Sequence, residues 1–239
     1  MKILLIAGHG QGDPGACACG YQESVLTREV VSLLKSKLSS IADVTVFDTS
    51  KNMYTYLKTG NSYNFKAFDY VLEVHFNAGV WDTSGNNKTT GVEILVHTSE
   101  SGVSVERNMV DNIAALGFRN RGVKTRSDLL NMNTCKKKQG VSYALLETCF
   151  IDDLDDMKLY QTKKNEIVEA IVKGISDGFG LKKKTEKTQL TSPNDIVWEL
   201  NNSHFPIHEP DNFVKALTEA KKESSPLYWG YYKLVNGIK

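Results

Sequence analysis

The sequence predicts an α/β fold: a twisted, mostly parallel sheet flanked by helices on both faces, with a small C-terminal appendage. Three observations carry this reading. Apolar runs without polar alternation, Ile3–Ala7 first among them, are the pattern of strands covered on both sides. Stretches of helical period separate them, at Glu23–Leu38, around Val105–Leu116 and at Lys163–Phe179. After Leu181 the composition turns abruptly to Lys182-Lys183-Lys184-Thr185-Glu186-Lys187, which reads as a linker.

Ile3–Ala7 is the first strand, and it runs into the loop Gly8-His9-Gly10-Gln11-Gly12-Asp13-Pro14-Gly15. The loop matches the G-x-G-x-x-G dinucleotide signature, but Pro14 disfavours helix at Asp13 and apolar periodicity begins only near Gln22. The next helix, from Glu23, turns Leu26, Val30, Leu33, Leu34 and Leu38 inward, and Glu23 falls on the same stripe. Val44–Phe47 is a short strand, whereas the polar stretch from Asp48 to Asn64 shows no period. In the strand Tyr70–Phe76, Val71, Glu73 and His75 share one face. Gly79–Thr90 is a loop and Gly91–His97 a further strand. A helix carrying Val105, Met109, Ile113 and Leu116 ends at Gly117, and Asn120–Lys124 leads into an irregular stretch. Val141–Thr148 is the last apolar strand, and the helix Lys163–Phe179, capped by Gly180, covers the sheet.

Composition narrows the function classes. A net charge of +1 with 24% charged residues gives no overall field for nucleic acid or an anionic membrane. The 41% hydrophobic content supports a sizeable core, and no apolar run approaches the roughly 18 residues of a membrane span. Ile3–Ala7 is too short for the apolar region of a signal peptide, so synthesis in the cytoplasm without an export signal is expected. Cys17, Cys19, Cys135 and Cys149 fit neither a C-x-x-C redox motif nor a zinc-ribbon spacing, and are expected to be free thiols.

The chemistry-bearing residues collect where strands end. Ligands of open α/β sheets bind beyond the carboxyl ends of the strands, and His9, His75 and Glu147 all stand there. Glu23, inward at a helix start, needs a partner. A catalytic zinc takes three protein ligands and leaves a fourth position to water; His9, Glu23 and His75 supply that set. A further carboxylate must then move a proton between the water and the leaving nitrogen, and Glu147 is the unused acid best placed for it. Two other roles for Glu147 stay open, a fourth ligand or an ion-pair partner of Arg121 or Lys124. Glu73, two residues before His75, either orients that ring or forms a structural salt bridge. His97 is the weaker candidate, because it stands in a polar turn without acidic or glycine-loop context.

Gly8-His9-Gly10, Asp13-Pro14-Gly15-Ala16, Glu23, His75-Phe76-Asn77-Ala78, Asn120-Arg121-Gly122-Val123 and Leu145-Leu146-Glu147-Thr148 follow the order found in zinc-dependent N-acetylmuramoyl-L-alanine amidases. Residues 1 to about 180 thus resemble the amidase family of bacterial autolysins and phage endolysins. The resemblance implies one Zn2+ per chain held by His9, Glu23 and His75, with Glu147 as catalytic acid and base. It also implies peptidoglycan as the substrate, cut between N-acetylmuramic acid and L-alanine. The expected organisation is a catalytic domain at 1–181, a charged linker at 182–190 and a small segment at 191–239. Trp229, Tyr231 and Tyr232 in that segment suit either a small core or a wall-binding surface. With no export signal, a phage endolysin reaching the wall through a membrane lesion is the expected setting. Two other classes compete: a carboxypeptidase-like zinc amide hydrolase, and a non-catalytic wall-binding or nucleotide-binding protein.

Overall fold

The computed structural model describes residues 1–182, 192–200, 210–223 and 225–236. In chain order the elements are β1 (Lys2–Ala7), β2 (Cys17–Ala18), β3 (Tyr21–Gln22), α1 (Glu23–Leu38), β4 (Asp43–Val46) and α2 (Met53–Lys58). There follow β5 (Tyr70–Asn77), β6 (Val92–His97), α3 (Ser104–Ala114), β7 (Asn120–Arg126), α4 (Leu130–Met132), β8 (Ser142–Phe150) and α5 (Leu154–Phe179). Three further helices follow among the described residues, α6 (Pro193–Glu199), α7 (Pro210–Lys222) and α8 (Pro226–Asn236).

Six strands make the main sheet in the order β4-β1-β5-β8-β6-β7. β4, β1, β5 and β8 run parallel, and β6 lies antiparallel to β8 and parallel to β7. Residues 3–7 of β1 are 0–5% exposed, as strands covered on both faces require. Ile3, Leu5 and Ala7 pack into one core with Leu26 and Val30 of α1, Met109 of α3 and Ile171 of α5. Leu4 and Ile6 face the other core with Phe47, Met53 and Met132. Helices therefore cover both faces of the sheet, as expected.

Helix α5 starts at Leu154, nine residues before the stretch with a clear apolar period. Asp153 caps it by accepting from the Asp155 and Asp156 amides, and Gly180 ends it at φ 64°. Where α5 crosses α3 the helices touch at glycine: a Cβ on Gly174 would lie 2.6 Å from Met109 Cγ. Asn120–Arg126, of which the sequence reading assigned 120–124 to no element, is a sheet-edge strand. Its residues are partly to fully exposed, so it carries no buried apolar stripe that its sequence could display. All four cysteines are free thiols.

The chain forms two compact units, Met1–Lys184 and Thr185–Lys239. The expected linker lies, from residue 183 to 190, outside the described residues. In the second unit Ile196, Val197, Leu200, Leu217, Tyr228 and Val235 form a core between α6, α7 and α8. Leu227, Trp229 and Leu234 of α8 are exposed. No described helix is long and apolar enough to cross a membrane.

Candidate metal centre

His9 stands two residues beyond the end of β1 in a glycine loop, at φ 62°, a left-handed conformation that costs a non-glycine residue free energy. Its surroundings hold it there. Arg28 of α1 donates to the Gly8 carbonyl at 3.0 Å and to the His9 carbonyl at 2.9 Å, and Thr27 Oγ1 also donates to Gly8 at 2.9 Å. The loop turns back on itself at Gly15, φ 68°, where a Cβ would come within 2.7 Å of both Glu23 Oε2 and His9 Cδ2. Only glycine lets the loop close this tightly around the pair.

Glu23 opens α1 and is 3% exposed. Its Oε2 lies 3.0 Å from His9 Nε2 and its Oε1 3.0 Å from His75 Nδ1. The same carboxylate accepts from the Ala16 and Phe76 amides, each at 3.0 Å. The two imidazole rings stand edge to face with centroids 4.8 Å apart. One ligand atom each from His9, Glu23 and His75 falls within 4.8 Å of the others. Each ring's second nitrogen meets a carboxylate: Asp13 Oδ2 at 2.9 Å from His9 Nδ1, and Glu73 Oε1 at 3.1 Å from His75 Nε2.

Glu147 is beside them because β5 and β8 are neighbours with His75 and Glu147 in register. Both fall on the sheet face shared with Glu73, Tyr143 and Leu145, where a cavity of about 350 Å3 opens between the two histidines, Tyr54, Leu129 and Leu130. Glu147 Oε2 is a buried oxygen without a hydrogen-bond partner. Arg121 and Lys124, offered by the sequence as its ion-pair partners, both reach Glu93 instead, each at 2.5 Å.

His97, by contrast, is carried to the opposite edge of the sheet, because β6 runs antiparallel to β8. It is 5% exposed and bonds Ser99 Oγ at 2.7 Å and Asn133 Oδ1 at 3.1 Å, which makes it a structural residue.

The electrostatics follow from packing two rings around one buried carboxylate. Burial alone would raise the Glu23 pKa, but hydrogen bonds from His75 and His9 outweigh it and hold this carboxyl well below the usual range. Burial alone would lower both imidazoles, yet their bonds to Glu23 prevail, so His9 is raised and His75, with Glu73 also beside it, is raised well above its ordinary value. Burial pushes Glu147 up to about 7, opposed by His75 and reinforced by the charges of Glu23 and Glu93.

The donor set fits zinc. Two imidazole nitrogens and one carboxylate oxygen converge, each ring has a carboxylate at its second nitrogen, and three such donors would leave a position open. The orphaned Glu147 oxygen adds an acceptor in the same place. Asn131 and the Tyr143 hydroxyl both donate to Glu73, and these positions were not readable from sequence, since nothing local to them signals a carboxylate on another strand.

Residues 3–177 match the family described as N-acetylmuramoyl-L-alanine amidase. The chain is 25% identical to a protein named "probable autolysin PH" of Staphylococcus aureus, over 98% of this chain and 48% of that one. It therefore spans about half the length of that relative. An endolysin of Bacillus phage SPP1 is 26% identical over 99% of this chain and 93% of its own. Among solved structures, the catalytic domain of an endolysin targeting Clostridia difficile superposes with a TM-score of 0.58 at 21% identity, covering 74% of this chain and 97% of that domain.

Proposed function

Because the chain belongs to the N-acetylmuramoyl-L-alanine amidase family, we propose that it hydrolyses peptidoglycan at the amide between the lactyl group of N-acetylmuramic acid and the L-alanine of the stem peptide. The observation that carries the reading is the convergence of His9 Nε2 and His75 Nδ1 on the two oxygens of Glu23, with Glu147 in register on the next strand. His9, Glu23 and His75 would hold one zinc. Bound there, zinc supplies a Lewis acid that polarises a carbonyl and acidifies water.

The chain's own groups do the rest. Glu147 takes a proton from the attacking water at its carboxylate and returns it to the nitrogen of the departing L-alanine. The C–N bond breaks, leaving a lactyl carboxylate on the glycan and a free amine on the peptide. The cavity walled by Tyr54, Leu129 and Leu130 offers apolar surface beside the histidines on which a stem peptide rests.

The second unit, with Trp229, Leu227 and Leu234 exposed on α8, is proposed to hold the enzyme on the wall. Truncation after Lys184 is expected to leave a folded first unit with weakened wall binding; unchanged wall binding by the truncated protein refutes that role. Mass spectrometry of walls digested by the full chain tests the activity. Intact stem peptides with a free L-alanine amine are expected. Release of single terminal amino acids would instead identify a carboxypeptidase, and no release would exclude both.

A further inference from the structure

We propose that Glu73 is a positioning residue that fixes His75 in one tautomer, with the proton on Nε2 and the Nδ1 lone pair turned toward Glu23 and His9. The proposal rests on the reading of His75 as a metal ligand.

Four hydrogen bonds define the arrangement around Glu73, which is 4% exposed in the middle of β5. Its Oε1 lies 3.1 Å from His75 Nε2. Asn131 Nδ2 donates to both of its oxygens at 3.0 Å, and the Tyr143 hydroxyl donates to Oε2. Both ring nitrogens face a carboxylate, and a metal ligand must offer its lone pair from Nδ1, the nitrogen on the side of the His9 and Glu23 donor atoms. The one N–H of a neutral imidazole then stands on Nε2, where Glu73 Oε1 accepts it. Nδ1, 3.0 Å from Glu23 Oε1, is left with its lone pair on the side where the three donor atoms meet.

The ring has little freedom to choose otherwise. A Cβ on Gly8 would stand 2.4–2.7 Å from three atoms of the His75 ring, so the backbone just after β1 lies directly against it. Asn131 and Tyr143, 7% and 1% exposed, approach Glu73 from α4 and β8, so the carboxylate is tied to two other elements as well as to its own strand. A salt bridge serving stability alone would need neither this direction nor this rigidity. A ligand must present one particular nitrogen, and a hydrogen-bonded carboxylate behind an imidazole both orients the ring and strengthens it as a donor.

Two measurements on the full chain test this. In the zinc-loaded protein with 15N-labelled histidine, the ring proton of His75 should sit on Nε2, shifted downfield by its bond to Glu73. It should move upfield or exchange away in Glu73→Gln, whose amide can turn its own N–H toward the ring. In competition with a chromophoric chelator, Glu73→Gln should bind zinc about 10–100-fold more weakly. Tyr143→Phe, which loosens Glu73 without touching His75, should fall between that variant and the wild type. A His75 proton on Nδ1 in the zinc-loaded wild type overturns the proposal, as does zinc affinity in Glu73→Gln within twofold of wild type. The amidase reading fails separately: a wild type with the expected ring proton and zinc affinity but no free L-alanine amine keeps the positioning role and loses the activity. If His75→Ala binds zinc like the wild type, the ligand assignment falls and the role of Glu73 falls with it.

Discussion

Replacing Glu23 separates what the site does for the fold from what it does for a metal. This carboxylate is 3% exposed and serves four donors, the Ala16 and Phe76 amides and one nitrogen each of His9 and His75. In Glu23→Ala the two backbone N–H groups lose this acceptor, and a buried unsatisfied donor costs about 1–3 kcal/mol. The metal-free protein should therefore lose about 2–6 kcal/mol before any cavity is counted. Glu23→Gln keeps the volume and one acceptor oxygen, so one backbone donor stays satisfied and the loss should be about 1–3 kcal/mol. Zinc at a hundredfold excess over its Kd should add about 2.7 kcal/mol to the wild type, and both variants should lose most of that increment. Native-state hydrogen exchange of the β1 and β5 amides reads these free energies for the first unit without interference from the second. Wild-type protection in metal-free Glu23→Ala would refute the packing argument. A full zinc increment in either variant would refute the ligand assignment.

Three further outcomes follow from other parts of the structure. Glu147→Gln should keep zinc and fold while turnover falls on the order of a hundredfold to ten-thousandfold; loss of zinc would make Glu147 a ligand, and normal wall hydrolysis would remove it from the chemistry. Gly174→Ala puts a methyl 2.6 Å from Met109 Cγ and 2.7 Å from its backbone nitrogen, so the α3–α5 contact must open at about 1–3 kcal/mol; an unchanged midpoint in urea would show that the helices part freely. Asp156 is pushed up to about 6 by burial despite accepting from the Gly91 and Phe150 amides. Its folded form holds a proton more tightly than its unfolded form, so its contribution is fully present below about 4 and is lost as pH rises through 6. The loss is about 3 kcal/mol at 1.36 kcal/mol per unit, and a wild-type stability curve as flat over that range as that of Asp156→Asn would contradict it.

Much of the site could be read from the chain because its signals are local. His9 follows a run buried on both faces, Glu23 lies on the apolar stripe of its own helix, and His75 and Glu147 end strands whose residues leave no doubt of burial. What was missed has no local signal or a contrary one. β7 is polar and sits at the sheet edge, so neither alternation nor apolar content marks it. The start of α5 hides in Asp152-Asp153-Leu154-Asp155-Asp156, which looks like a charged loop. Asp153 is in fact its cap and the next two acids occupy its first turn, where the helix dipole favours them.

The strand-end rule itself shows where such reasoning stops. It finds His9, His75 and Glu147 because β1, β5 and β8 run the same way, and it also admits His97, which only its polar turn marked as the weaker candidate. Strand direction decides between them, and no residue within β6 encodes it. The antiparallel pairing of Glu93 with Glu147 does: the strand runs back beside β8, leaving Glu93 level with the site and His97 at the far edge. β7 pairs with β6 on its other side, so Arg121 and Lys124 meet Glu93 rather than Glu147. One reversed strand thus removes a false ligand and draws off the two cations that would otherwise have neutralised Glu147. An acid with an unsatisfied oxygen is left beside two histidines, and moving a proton is the work that such an acid is free to do.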